Sequence, residues 1–138
     1  MDNLQDIIQY LKIGVAFVGA GISHLLGGWD LALKVLVLFV VCDYITGLSA
    51  AWYEKKLDSS IGFFGIAKKV FLFIPIALAY WLDHVLGQDI LRNVAIWFYL
   101  ANEGLSILEN LGRMEIIVPP SVVEALQQLK NREGTKKA

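Results

Sequence analysis

The stretch LALKVLVLFVVCDYITGLSAA, residues Leu31–Ala51, decides the fold class of this chain. Its only formally charged residues are Lys34 and Asp43. A helix needs roughly 20 residues to cross a bilayer core about 30 Å thick, and this stretch is long enough. Trp29 precedes it, and Trp52 and Tyr53 follow it, where aromatic residues of a membrane interface are expected. The stretch therefore predicts a transmembrane helix over about 31–53.

The composition of the whole chain supports a membrane protein. Apolar residues make up 57% of its 138 residues and charged residues 18%, against ~45–50% and about 25% in soluble domains. The formal net charge of −1 gives no reason to expect a nucleic-acid partner. One cysteine and two histidines are too few for an internal disulfide or a zinc site. Phosphate-binding loops, nucleophile elbows and zinc-protease motifs are absent from the sequence, so we predict no enzyme, no catalytic residue, no metal and no cofactor.

Three further apolar blocks predict spans at about 11–29, 66–86 and 90–110. The fold class is therefore all-α, with four spans expected and three as the alternative. The first block is rich in glycine, which weakens a helix. The third spans only if Lys68 and Lys69 reach the headgroups at the membrane interface, and Pro75 should kink it. Residues 1–112 form the predicted transmembrane domain, and 113–138 a tail with a short amphipathic helix at 121–133.

Basic residues predict the orientation. They concentrate between the second and third blocks and in the tail, and the positive-inside rule places both regions in the cytoplasm. With four spans the N-terminus is also cytoplasmic. If the first block does not span, the N-terminus moves outside while the other two assignments remain.

A few polar and small residues interrupt the apolar helices. An ionisable side chain near mid-membrane, such as Asp43, costs about 2.5–3.5 kcal/mol, so these positions are expected to pack helices or to line a pore. The set is Asp43, Thr46, Gly47, Ala51, Asn102, Glu103, Ser106, Glu109 and Asn110. Three interpretations stay open at this stage: a structural network within one bundle, self-association around an opening, and an ion pathway.

The run FYLANEGLSILENLG, Phe98–Gly112, resembles the toxin-secretion/phage-lysis holins, a family of clostridial toxin-export and phage holins. The run Asp43-Tyr44-Ile45-Thr46-Gly47 upstream resembles the same family. Further matching positions, in order, are Ser59-Ser60, Gly62, Gly65, Lys68-Lys69, Asp83 and Pro119-Pro120. The resemblance covers about 33–129.

Membership would imply a protein that accumulates in the bacterial cytoplasmic membrane. Its copies would then assemble into homo-oligomeric lesions. A phage endolysin would leave through them and lyse the host, or a large toxin would be secreted, without necessary direct contact with the cargo. The expected partners are thus other copies of the chain and the lipid bilayer. A small oligomeric ion channel or transporter subunit is the alternative.

Overall fold

In the computed structural model, which describes residues 2–134, the chain forms helices joined by short connections and no strands. The helices are α1 (Asp2–Leu25), α2 (Leu31–Tyr53), α3 (Ser59–Phe71), α4 (Phe73–Leu86), α5 (Leu91–Arg113) and α6 (Pro120–Gly134). The all-α prediction is confirmed. The short tail helix expected at 121–133 corresponds in position to α6.

Within residues 2–134, three segments are long and apolar enough to cross a membrane: Asn3–Leu25, Leu31–Tyr53 and Gly62–Leu86. The last of them joins α3 and α4. The block expected at 90–110 is helical as part of α5, but it is not among these candidates. Arg92, Glu103 and Glu109 lower its hydropathy below that of the other three. The count of four spans is therefore not confirmed, and three follow from length and composition.

The α3–α4 segment is interrupted at Leu72. Pro75 has no N–H for the carbonyl of Phe71, four residues earlier, and its ring clashes with that carbonyl. Helix α3 accordingly ends at Phe71, and α4 begins at Phe73. Leu72 keeps right-handed helical dihedrals, with φ −56° and ψ −30°, so the segment continues beyond the break instead of reversing direction.

Helices α2 and α5 run parallel, as the polar contacts between their corresponding ends show. Arg92 near the start of α5 binds Asp30 before α2, and Arg113 at the end of α5 binds Glu54 after α2. We call these the Arg92 end and the Arg113 end of the bundle. The α3–α4 segment returns from the Arg113 end to the Arg92 end, so it runs opposite to both.

The apolar core lies between α2, α4 and α5. Its fully buried side chains are Leu33, Leu36, Ile76 and Ile96. Each large side chain buried in this way contributes about 1.5–3 kcal/mol relative to exposure in water. In a bilayer this driving force largely vanishes, because lipid tails are as apolar as leucine. Close packing and polar contacts must then hold the same helices together.

Helix α6 folds back along α5. Leu126, which is 8% exposed, lies over Gly104, well before the end of α5. A Cβ at position 104 would come within 2.5 Å of a Leu126 methyl carbon and 3.2 Å of the Phe39 ring. The absence of a side chain at Gly104 therefore permits the docking of α6.

Helix α1 stands apart from this core. Every residue from Asn3 to Ile22 is exposed, including large apolar side chains such as Phe17 at 81%. Only its last turns approach the bundle, where the His24 ring meets that of Trp81 edge-on with centroids 5.7 Å apart. The helix thus has the length and composition of a span without a protein partner along most of its length.

The packing at Gly104 predicts that Gly104→Val loosens α6. The added methyl groups would displace Leu126, and overpacking of this kind costs about 1–3 kcal/mol. Trypsin should then cleave at Lys130 on α6 faster than in the unmodified protein. Gly112→Val is the matched control, because nothing lies within 4 Å of a Cβ at that position. Equal cleavage rates for the two variants would contradict the role of Gly104.

Candidate functional site

A charged cluster joins three helices inside the bundle. Lys69 of α3 donates hydrogen bonds from its Nζ to Asp43 of α2 and Glu103 of α5. Asp43 is 6% exposed and Glu103 is 7% exposed, so both carboxylates are removed from solvent. Burying ions costs several kcal/mol each unless they are paired and hydrogen-bonded. The cluster supplies that pairing through Lys69.

An amide and a hydroxyl complete the cluster on the side of α5. Asn110 donates from Nδ2 to Asp43 Oδ1 at 2.9 Å and to the Thr46 hydroxyl at 3.2 Å. The Thr46 hydroxyl in turn donates to the main-chain oxygen of Cys42 at 2.9 Å. Asn110 is 7% exposed, so these contacts tie α2 to α5 in a region largely closed to solvent.

Small residues let the helices approach closely enough for these contacts. Gly62 and Gly65 of α3 face the ring of Tyr44, from which an added Cβ at position 65 would be 3.5 Å away. Gly47 of α2 faces Asn110, whose Nδ2 would be 3.4 Å from a Cβ. A Cβ at any of these three positions would make only ordinary van der Waals contact, so only side chains larger than alanine would push the helices apart.

The cluster lies near the middle of the bundle. Asp43 is about 18 Å from the start of α2 and about 15 Å from its end, taking 1.5 Å per residue. With all three groups ionised, two carboxylates face one ammonium group. The cluster then holds one more negative charge than positive charge.

A second polar site holds the Arg92 end together. Arg92 is 8% exposed and donates to the main-chain oxygens of Leu26 at 2.5 Å and Gly28 at 3.1 Å, and to Asp30 at 2.6 Å. Gly27 and Gly28 both have positive φ, at +79° and +102°, which side chains rarely allow. A Cβ at Gly27 would also lie 2.8 Å from the Arg92 Nε. The connection from α1 to α2 is therefore fixed around one guanidinium group.

The contact with Arg92 lowers the pKa of the Asp30 carboxylate. Partial burial raises its pKa, but hydrogen bonds from Arg92 and from the Leu33 N–H lower it, so the pKa of Asp30 lies below its usual value. Asp30 is thus ionised at neutral pH. It caps the first turn of α2 through the Leu33 N–H at 2.9 Å.

Asp83 anchors the start of α5 in the same region. Its carboxylate accepts hydrogen bonds from the N–H groups of Ile90, Leu91 and Arg92 at 3.3, 2.9 and 2.8 Å. Asp83 is 3% exposed and lies near the end of α4. It satisfies N–H groups that have no partner within their own helix, and it positions the Arg92 backbone.

The Arg113 end is closed by a bidentate ion pair. Arg113 donates from Nε and Nη2 to the two carboxylate oxygens of Glu54 at 3.0 and 2.9 Å. These hydrogen bonds hold the pKa of Glu54 below its usual value. Arg113 also donates to the Asn110 side-chain oxygen at 3.2 Å, which links this pair to the central cluster.

The structure brings together four of the nine polar and small positions that the sequence singled out in the helices: Asp43, Thr46, Glu103 and Asn110. Gly47 and Ala51 lie in the α2 packing surface, Ser106 is half-buried, and Asn102 and Glu109 are exposed. The polar stripe on α5 is thus divided between the bundle interior and its surface.

The positions expected at the membrane interface are exposed with one exception. Trp29 lies at the Arg92 end, and Trp52 and Tyr53 lie at the Arg113 end. Lys68 is exposed, whereas the neighbouring Lys69 points into the bundle. Adjacent residues on a helix point about 100° apart, so one lysine can face outward while the other faces the carboxylates.

Sequence reasoning missed the roles of Lys69, Asp83 and Arg92. A signal for Lys69 exists in the sequence, because Gly62, Gly65 and Lys69 have i, i+3, i+7 spacing and share the face that meets α2. The contacts of Asp83 and Arg92 depend on how two connections meet at one end of the bundle. No local sequence pattern indicates that these two connections lie together.

An apolar groove of about 590 Å³ runs along the bundle beside the charged cluster. It lies between α2 and the α3–α4 segment, and the end of α1 closes it at the Arg92 end. Its lining residues are Ile22, Leu25, Leu26, Trp29, Val37, Val40, Val41, Tyr44, Ile66, Lys69, Val70, Phe73, Ile74 and Ala77. Within residues 2–134, no group of histidine, cysteine and carboxylate side chains could hold a metal ion.

Comparison with known proteins identifies the family. Residues 20–131 match the bacteriophage holin family. An uncharacterised protein of Listeria innocua is 50% identical over 110 residues, which is 79% of each chain. An uncharacterised 14.9 kDa protein of Clostridium perfringens is 36% identical over 94% of this chain and 100% of its own length. A probable holin of Bacillus phage phi105 is 30% identical over 75% of this chain and 78% of its own length.

No solved structure matches the chain significantly. The family match spans most of the sequence, including every residue of the charged cluster and of the two polar sites at the bundle ends. Together with the three apolar segments, it identifies a membrane protein and supports a holin role. The chain belongs to the bacteriophage holin family.

Proposed function

We propose that this protein is a holin that accumulates in the bacterial cytoplasmic membrane and then oligomerises into lesions. The lesions of a phage-encoded protein release an endolysin, which lyses the host cell. The lesions of a protein encoded by the bacterium itself would release a large toxin. The observation that carries the proposal is the buried Asp43–Lys69–Glu103 cluster in an apolar helix bundle of this family.

The cluster raises the free energy of a single, unassembled bundle within lipid. Its carboxylates share one ammonium group, so with all three groups ionised the cluster has a net charge of −1. A charge at this depth costs about 2.5–3.5 kcal/mol on insertion scales. Contact with a second copy or with water lowers that cost, and either one is supplied when copies assemble.

Helix α5 acts as a fourth span in this proposal. It runs parallel to α2, is of the same length, and is joined to it by polar contacts at both ends and in the middle. If α2 crosses the bilayer, α5 occupies the same depth. Its polar residues are tolerated there because α2 and α3 cover several of them.

In this proposal the Arg113 end lies in the cytoplasm. That end carries Lys55, Lys56 and Arg113, and the connection to α6 leaves from it. The positive-inside rule favours this orientation. With four spans, the N-terminus and the connection from α5 to α6 are then also cytoplasmic, and residues 26–30 and 87–90 face the other side.

The outer surface of the bundle has an apolar side and a polar side, as expected if each copy in a lesion faces lipid on one side and water on the other. The α3–α4 segment exposes large apolar side chains such as Phe63, Phe71 and Leu78. By contrast, Asn102 and Glu109 of α5 are exposed, and so are Glu124, Gln127, Gln128 and Lys130 of α6. We assign the apolar side to lipid and the polar α5–α6 side to the water of the opening. Association then depends on concentration, since each copy gains a polar neighbour only when other copies are present.

Cysteine accessibility tests the four-span orientation. In a Cys42→Ala background, Gln88→Cys should react with a membrane-impermeant maleimide added to intact spheroplasts. Lys56→Cys should react only after the membrane is opened. Labelling of Lys56→Cys in intact spheroplasts would place the Arg113 end outside and contradict the orientation. A Gln88→Cys that reacts only after opening would contradict a crossing by the α3–α4 segment. Ile117→Cys, at an exposed position after α5, should also react only after opening, and its labelling in intact spheroplasts would contradict α5 as a fourth span.

Lysis timing tests the charged cluster. Glu103→Gln leaves Asp43 and Lys69 as a balanced pair, so the single bundle becomes less costly and lysis should be delayed. A polar contact between membrane helices is worth about 1 kcal/mol, so the protein level needed for lysis should rise about fivefold. The measurement is culture density after induction with a co-expressed cytoplasmic endolysin.

Asp89→Asn is the control for this variant, because it removes the same charge from an exposed connection. Lysis by Glu103→Gln at the unmodified protein level would contradict the role of the cluster. If the unmodified protein depolarises the membrane but retains the endolysin, the ion channel alternative replaces the holin proposal.

A further inference from the structure

We infer that α1 of one copy docks into the apolar groove between α2 and the α3–α4 segment of a second copy. This inference rests on the proposed assembly of holin copies, and it names the surfaces that meet. The occupant is a helix of the same chemistry in every copy, so no other protein is needed for the interface to repeat.

The first argument is the unpartnered state of α1. All of its residues from Asn3 to Ile22 are exposed, although Asn3–Leu25 is apolar enough for a membrane span. Van der Waals packing drives helix association in lipid, and glycines allow close approach. Gly14, Gly19 and Gly21 of α1 have nothing within 4 Å of their Cβ positions, so they leave room for a neighbouring helix.

The second argument is that α1 is held away from its own groove. The turn that leads out of α1 is fixed by Arg92 through the main-chain oxygens of Leu26 and Gly28. The positive φ angles of Gly27 and Gly28 belong to that turn. Swinging α1 along its own bundle would break these buried contacts, whereas a second copy can fill the groove without disturbing them.

The third argument is that the groove has the right lining. Its walls are apolar side chains of α2 and of the α3–α4 segment, including Val41, Val70 and Ile74, and Lys69 is its one charged residue. This lining suits an apolar helix. The groove also reaches the charged cluster, because Lys69 belongs to both.

Charge complementarity supplies the fourth argument. In a membrane all copies share one orientation, and both α1 and the α3–α4 segment end at the Arg92 end. The ends of α1 and α4 are not level, because His24 of α1 contacts Trp81 of α4. Asp6 lies about 27 Å before His24, and Lys68 lies about 20 Å before Trp81, at 1.5 Å per residue. The Lys68 side chain points toward the N-terminus of its helix, the direction in which Asp6 lies, so a docked α1 brings an exposed carboxylate within reach of an exposed ammonium group.

An interface of this kind joins two different surfaces, the α1 helix of one copy and the groove of the next. Each bound copy leaves one free helix and one free groove. Such a heterologous contact repeats until a ring closes, or it continues as an open array. It can therefore build assemblies of many copies, which a symmetric dimer contact by itself cannot.

Disulfide cross-linking between differently tagged full-length chains tests the inference. In a Cys42→Ala background, one chain carries a cysteine at 15, 16, 17 or 18, which together cover one turn of α1. The other chain carries Ile74→Cys in the groove. Ile74 lies about 10 Å before Trp81, and residue 17 lies about 10 Å before His24, which contacts Trp81. Oxidation in membranes should give a dimer that carries both tags for at least one α1 position.

Leu78→Cys is the matched control, because Leu78 is an exposed residue of the same helix but does not line the groove. The two-tag dimer should fall to background with this control. Equal yields with cysteines at positions 74 and 78 would overturn the inference. Absence of the two-tag dimer would also overturn it and would indicate that lipid fills the groove. Doubly substituted single chains that cross-link only within themselves would show that α1 packs on its own bundle and would also overturn it.

Charge reversal provides a second test, in which the yield of the same two-tag dimer is measured. Asp6→Lys alone and Lys68→Glu alone should each lower the yield of two-tag dimer about threefold, as expected for one exposed ion pair. The double variant should restore it. Failure of the double variant to restore the yield would remove the charge argument.

The endolysin assay separates this inference from the proposed function. Normal lysis without any two-tag dimer would reject the docking of α1 and leave the holin proposal standing. A two-tag dimer in a protein that retains the endolysin would reject the holin proposal and leave the interface standing.

Discussion

The bundle depends on one ammonium group, that of Lys69, lying between the carboxylates of Asp43 and Glu103. Three helices that are far apart in the sequence contribute these groups, and none of them tolerates lipid alone. Apolar faces give little specificity in a bilayer, because one apolar face is as good as another. The charged groups therefore determine which helices are neighbours and at what depth they meet.

The polar sites at the two ends act together with this cluster. Arg92 and Arg113 bind the two ends of α2, so the register between α2 and α5 is set at three heights. A shift of α5 by one turn would move its charged groups by about 5.4 Å and separate all three contacts. Polar contacts thus provide the specificity that an apolar core alone would not.

Much of the fold could be predicted from the sequence, because apolar length is a direct physical requirement of crossing a bilayer. The all-helical class and the α2 span follow from Leu31–Ala51 alone. The status of α5 did not follow, since its polar residues lower the hydropathy that marks a span. Whether these residues are covered depends on partners elsewhere in the chain.

The site was predictable to a similar degree. Asp43, Glu103 and Asn110 stood out because such residues are rare in apolar helices. Their shared partner Lys69 did not, because a lysine near the end of an apolar block usually extends to the headgroups. The roles of Asp83 and Arg92 required knowing that two connections meet, which is a property of the tertiary structure.

The parallel course of α2 and α5 has a consequence for biogenesis. In the proposed four-span arrangement α5 is the last span to be made, and its partners Asp43 and Lys69 have by then left the ribosome. Those two groups can already pair with each other, as they do in the folded chain. Glu103 therefore adds the excess negative charge last, and a truncated product ending before α5 would keep a balanced Asp43–Lys69 pair.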